Sequence, residues 1–214
     1  MLNKNRAMVW TTANWTGLLL LSYLIGSFPT AYMLGRMAKG LDIRALGDGN
    51  AGAANVFRQM GARIGIAVWA VDVGKGAAAT ALAGALTGST MAQMMAGVAV
   101  VAGHNWPFFL QYRGGRGASP TMGVLAVIAP LAVVPLSVLS LVPLAITRSA
   151  TVTLSFIFVP ISLVAWFTGS SIAVIIYCVA LPVMVGLSHW HSLRRPRFAE
   201  EKHFRSGGEE VRVP

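Results

Sequence analysis

From Ala118 to Ile146 the chain runs for 29 residues without one charged side chain. At about 1.5 Å per residue, a single helix of that length would reach about 44 Å, against a bilayer hydrocarbon core of about 30 Å. Pro130 and Pro135 lie inside the run, and proline breaks or kinks a helix. The run is therefore read as two spans turning near Ala129-Pro130-Leu131. Other apolar stretches cover about Trp15–Met33, Ile64–Leu86, Met91–Leu110, Thr151–Phe167 and Ser171–Leu187. The expectation is an all-α integral membrane protein with seven transmembrane helices.

Charge placement gives the orientation. Residues 36–63 hold five basic and two acidic residues, and residues 111–117 and 194–195 are also basic. With the split at Ala129, these clusters and Arg148 fall on one side, and the links near 87–90, 129–131 and 168–171 are uncharged. The positive-inside rule makes the charged side cytoplasmic, so the N-terminus is expected outside and the C-terminus in the cytoplasm. Lys4 and Arg6 oppose this and are outvoted by the five-charge loop. The first span has no small-x-small cleavage site and runs into a basic loop, so it is read as a span and not a signal peptide. The expected organisation is a short segment 1–14, a membrane domain 15–188 and a basic tail 189–214.

Only 11% of the residues are charged, yet the net charge is +10, because Asp42, Asp48 and Asp72 are the only acids before Glu200. Basic charge beside membrane spans suits anionic headgroups or phosphate ligands better than nucleic acid. The lone Cys178 excludes a disulfide framework. Four histidines without ligand spacing give no structural zinc site, and neither a metal nor a cofactor is expected.

Two polar islands stand out. The first, residues 47–58, carries Asp48, Gly49, Asn50, Gly52, Asn55 and Arg58. Glycine permits tight turns that present backbone N–H groups to an anion. Asparagine adds neutral donors, and arginine a fixed positive fork. The second joins Gly103-His104-Asn105-Trp106-Pro107 to Arg113-Gly114-Gly115-Arg116-Gly117. Two such loops in an apolar protein suggest a phosphate site at a membrane surface; loops that merely link spans are the plainer alternative. His104 could act as a general base, orient a phosphate or bind loop backbone. Asp72 and Lys75 share one helix face within a span and read first as a structural ion pair, with a proton relay as the alternative. His189, His191, Ser192, Arg194 and Arg195 follow the last span, as a lipid-held basic patch or as substrate ligands. No G-x-S-x-G elbow occurs.

In order along the chain, Gly26-Ser27-Phe28-Pro29, Asp42-Ile43-Arg44, Gly49-Asn50-Ala51-Gly52, Asn55, Arg58, Asp72, Lys75-Gly76, Gly103 to Pro107, Gly114 to Gly117 and Thr147-Arg148 resemble the PlsY family, the bacterial acyl-phosphate:glycerol-3-phosphate acyltransferases. The resemblance covers Gly26 to about Glu201. It implies a multi-pass protein of the bacterial inner membrane with its active site on the cytoplasmic side. The implied reaction moves an acyl chain from acyl phosphate to the 1-hydroxyl of glycerol 3-phosphate, giving lysophosphatidic acid without acyl-CoA or acyl carrier protein. Carried over to these positions, His104, Asn105 and Arg116 become the catalytic candidates. Asp48, Gly49, Asn50, Gly52, Asn55, Arg58, Gly114, Gly115, Gly117, Arg148, Thr151, His189, Ser192 and Arg195 become the phosphate and substrate ligands. Arg58 and Arg116 are expected at the donor phosphate, and Arg148 and Arg195 at the acceptor phosphate.

The chain departs from the family pattern in several places. Asp48 stands where Ser is usual, Ala54 for Thr, Arg116 for Lys, Pro120 for Thr and Ser192 for Asn. A carboxylate 4 Å from a phosphate, at an effective dielectric of 20, repels it by about 4 kcal/mol per unit charge. Asp48 is tolerable if it turns away, is protonated or pairs with an arginine. Two other classes stand beside the enzyme: an impaired homologue that binds phospholipid or phosphate, and a small-solute or lipid transporter using Asp72 and Lys75.

Overall fold

The computed structural model describes residues 11–194, and these residues form helices joined by turns and short loops. In chain order the helices are α1 (Thr12–Ser27), α2 (Thr30–Lys39), α3 (Ala53–Met60), α4 (Ala62–Thr87), α5 (Thr90–Asn105), α6 (Ala118–Ile128), α7 (Pro130–Leu139), α8 (Leu141–Thr147), α9 (Ala150–Phe158), α10 (Ile161–Phe167) and α11 (Ile172–Leu193). Short 3₁₀ turns lie at Ile43–Ala45 and Phe108–Leu110.

Among the described residues, five stretches are long and apolar enough to cross a bilayer: Thr12–Lys39, Ala62–Thr87, Pro130–Thr147, Ala150–Phe167 and Ile172–Leu193. The 16-residue α5 and 11-residue α6 reach about 24 and about 17 Å, short of the core thickness. Apolar side chains cover the outside, with Leu131, Ile146, Phe167 and Ile172 largely exposed. An apolar surface this extensive belongs against lipid.

Prolines set the breaks. The turn expected at Ala129-Pro130 is present: Ala129 adopts φ −135°, ψ 58°, and Pro130 opens α7. The ring of a proline disfavours helical geometry in the residue before it, while proline itself suits the first helical position. The same chemistry divides the first expected span. Phe28 leaves the helix at φ −56°, ψ 119°, and Pro29 precedes α2, so Trp15–Met33 is two helices meeting at a bend. The third expected span ends at Asn105, not Leu110, because Pro107 cannot continue a helix. The last runs on to Leu193, placing His189, His191 and Ser192 on its final turns and not in a tail.

Two close helix contacts hold the polar end together. On α1 and α5, a Cβ at Gly26 would strike the Val100 carbonyl, and one at Gly103 the Tyr23 carbonyl. On α4 and α6, Gly76 lies on the Pro120 carbonyl and Gly123 on that of Val73. Glycine is the residue that allows backbones so near each other. A larger core formed by α4–α7 and α9–α11 includes Val100, Leu125, Val133, Ile157, Ile161 and Leu181. A smaller one beneath the first loop gathers Ala31, Ile43, Val56, Met60, Val68 and Leu110.

Candidate active site

The first loop is shaped from below by one side chain. Asn55, at the start of α3, is fully buried, and its Nδ2 lies 3.3, 2.9 and 3.1 Å from the carbonyl oxygens of Ile43, Leu46 and Asn50. It holds three points of the loop at once. Gly47 and Gly49 turn the chain at φ 58° and 70°, a region in which side chains are strained. Asp42 braces the loop's entrance by accepting from the backbone N–H and guanidinium of Arg44, at 2.9 and 2.8 Å. Burial works to raise the Asp42 carboxyl, but the Arg44 hydrogen bonds and charge prevail and hold it below its ordinary value of 3.8. Arg44 also lies over the Tyr32 ring and donates to the Leu110 carbonyl at 3.4 Å, touching the second loop.

The second loop is held mainly by backbone. The N–H groups of Gly114 and Gly115 donate to the carbonyls of Asn105 and His104, at 3.3 and 3.1 Å. Their missing side chains matter. A Cβ at Gly114 would meet the His104 carbonyl and the Pro107 ring, and one at Gly115 the His104 imidazole. Gly117, at φ 86°, turns the chain into α6 over the Asn105 side chain. That buried Asn105 amide has no hydrogen-bond partner among the described residues. Tyr23 donates to the Trp106 carbonyl at 2.6 Å.

Beneath the second loop lies a buried ionic group. Lys75 Nζ is 2.8 Å from Asp72 Oδ1, and His104 Nδ1 is 3.7 Å from the same oxygen. Lys75 also donates to the Phe28 carbonyl at 3.3 Å, which the bend at Pro29 leaves available. A small cavity here is lined by Phe28, Thr30, Lys75, His104 and Gly115 among others. His104 itself is buried and presses its ring on Gly115, so it supports the loop from within.

The loops meet at Asp48. Its Oδ2 is 2.9 Å from Arg58 Nη2 and 3.1 Å from Arg116 Nη1, while its Oδ1 accepts the Asn50 N–H at 3.3 Å. Arg116 Nε donates to Ser192 Oγ at 2.9 Å, and Ser192 Oγ donates to the His189 carbonyl at 2.8 Å. One carboxylate thus gathers two guanidiniums from different loops, and α11 steadies the second. Residues 47–58 and 103–117 share one side of the molecule, joined by this basic cluster.

The family described as glycerol-3-phosphate acyltransferase matches residues 16–197. The chain belongs to it. Two curated family relatives come from Dehalococcoides mccartyi. Glycerol-3-phosphate acyltransferase 4 is 40% identical over 83% of this chain and 96% of its own length. Glycerol-3-phosphate acyltransferase 2 is 37% identical over 91% of this chain and 90% of its own. Among solved structures, PlsY, an integral membrane glycerol 3-phosphate acyltransferase in its glycerol 3-phosphate form, is similar with a TM-score of 0.75. It is 25% identical, and the match covers 86% of this chain and 96% of that one.

Not every candidate lies at the basic cluster of this family member. Asp48, Asn50, Arg58, Arg116, His189 and Ser192 are connected there, with Gly49 and Gly52 in the first loop and Gly114, Gly115 and Gly117 in the second. Arg148 is the exposed left-handed cap of α8, without an ion pair or side-chain hydrogen bond among the described residues. Thr151 is exposed on the first turn of α9. Arg195, expected at the acceptor phosphate, lies outside the described residues. Two links were missed by sequence reasoning: the approach of His104 to Asp72, and Arg44 as a tie between the loops. The Asp42-Ile43-Arg44 motif was the available signal for the second; the first depends on how α4 and α5 pack.

Proposed function

We propose that this chain makes lysophosphatidic acid by moving an acyl group from acyl phosphate to the 1-hydroxyl of glycerol 3-phosphate, at the cytoplasmic face of a bacterial inner membrane. The observation that carries this reading is the meeting of Arg58 and Arg116 from two glycine-rich loops on one partly exposed carboxylate. Membership of an acyltransferase family supplies the reaction class. Phosphate is already a good leaving group, so no protein nucleophile is needed. The acceptor hydroxyl oxygen attacks the acyl carbon, the bond from that carbon to the phosphate oxygen breaks, and the hydroxyl proton passes to the departing phosphate. Positioning and electrostatics provide the rate.

Within this scheme Arg116 and Arg58 neutralise the leaving phosphate, with loop N–H groups at residues 50–52 and 116–117 as further donors, those of Gly49, Gly114 and Gly115 being spent on loop carbonyls. His104 and Asn105 act as positioning residues, through the carbonyls that bind Gly115 and Gly114. Arg148, Thr151 and Arg195 are assigned to the acceptor. Seven crossings, with the N-terminus outside, form one membrane domain over residues 15–188. The common side of the two basic loops supports that arrangement, with α5 and α6 as its short members.

The test is release of inorganic phosphate from palmitoyl phosphate by the purified protein in the presence of glycerol 3-phosphate. Saturable release coupled to lysophosphatidic acid formation is expected. A folded protein that releases none would favour the homologue that only binds phosphate, and a trapped acyl-protein intermediate would overturn direct attack.

A further inference from the structure

We propose that Asp48 is a built-in occupant of the phosphate site, holding Arg58 and Arg116 together until a substrate phosphate displaces it. The proposal rests on the transfer reading above and concerns how that site is filled and emptied. The Asp48 carboxylate takes two guanidinium contacts and one backbone N–H, at 2.9, 3.1 and 3.3 Å. Those are the donors that a phosphate oxyanion accepts in a loop of this kind. The three carboxylates among the described residues are divided: Asp42 pairs with Arg44, Asp72 with Lys75, and Asp48 alone serves the basic cluster.

Displacement is within reach. The side chains of Asp48 and Arg58 are 31% and 50% exposed, and ion pairs in contact with water are weakly held. Asp48 stands between Gly47 and Gly49, both in the left-handed region, so its neighbours carry no side chains that would block its swing. A phosphate brings more negative charge and more acceptor oxygens than a carboxylate, and takes over both arginines. When the phosphate leaves, the carboxylate returns and the arginines are never left facing each other unscreened. Two consequences follow: more substrate is needed for half-saturation, and phosphate is released more readily.

The displacing phosphate belongs to the acyl donor or to glycerol 3-phosphate, and separate arms distinguish them. Full-length wild type, Asp48→Asn and Asp48→Ser are titrated calorimetrically with inorganic phosphate, and KM is measured for palmitoyl phosphate and for glycerol 3-phosphate. Both variants are expected to bind inorganic phosphate about tenfold tighter or more. KM should fall for the substrate whose phosphate uses this site and hold steady for the other. Asp48→Glu, which keeps the charge, should show no such gain in phosphate affinity, and Asp48→Ser serves if the Asn variant unfolds. Folded variants that bind phosphate no tighter, beside a wild type that transfers acyl chains, overturn the displacement and leave the transfer reading standing. Tighter phosphate binding without transfer by any protein supports the displacement and overturns the transfer reading.

Discussion

The two polar loops share a composition but are built by opposite means. In the first, a buried side chain shapes the backbone: Asn55 reaches three carbonyls, and Asp42 with Arg44 braces the entrance. In the second, backbone docks on backbone, and what matters is the side chains that are missing at Gly114 and Gly115. One loop is vulnerable where an amide is removed, the other where a methyl is added or its foundation shifts. Similar motif chemistry therefore does not imply similar tolerance to mutation.

The largest effect is expected beneath the second loop. Asp72→Asn leaves Lys75 buried without its counter-charge, and breaking a buried pair costs about 3–5 kcal/mol. Thermal unfolding in detergent should show a large loss, accompanied by faster proteolysis within residues 106–117. Cleavage appearing in the first loop instead would break the assignment of Asp72 to the second. Next comes Asn55→Ala. It removes the amide from three loop carbonyls, of which those of Ile43 and Leu46 keep a backbone N–H and that of Asn50 loses its donor, and is expected to cost about 1–3 kcal/mol, with proteolysis now confined to residues 40–52. Equal loosening of both loops would show that they act as one unit. The smallest effect is acid sensitivity at the first loop. The folded Asp42 carboxyl lies below its ordinary 3.8, so its stabilisation is present above that value and fades as pH falls through its lowered value. Asp42→Asn should remove this part of the acid dependence, measured as unfolding temperature against pH, and leave the neutral-pH profile of the second loop unchanged.

Much of this was legible in the sequence because proline and charge announce themselves. The turn at Ala129-Pro130 and both polar islands lie where the residues indicate. The end of α5 was misplaced because Phe108, Phe109 and Leu110 are apolar. Hydropathy registers what a residue touches, while Pro107 decides whether the helix hydrogen bonds continue. The same confusion hid the bend at Pro29. His189 to Ser192 read as tail because they are polar, yet they complete the last turns of α11. The contact of His104 with Asp72 joins two helices, and no spacing within either predicts it. The sequence marks the Asp48 carboxylate as a problem for phosphate, but its two arginine partners lie 10 and 68 positions away.

The extension of the last helix to Leu193 gives α11 a mechanical hold on the second loop. Tyr177, in its second turn, fastens it to the Met94 carbonyl at 2.9 Å, and Ser192, fifteen residues on, holds Arg116. The intervening rod is about 22 Å long, so a tilt of a few degrees about the tyrosine swings the serine by an ångström or more. Bilayer thickness, which biases helix tilt, thereby becomes a tuning variable for the guanidinium, felt at the far end of the rod from its tyrosine fastening.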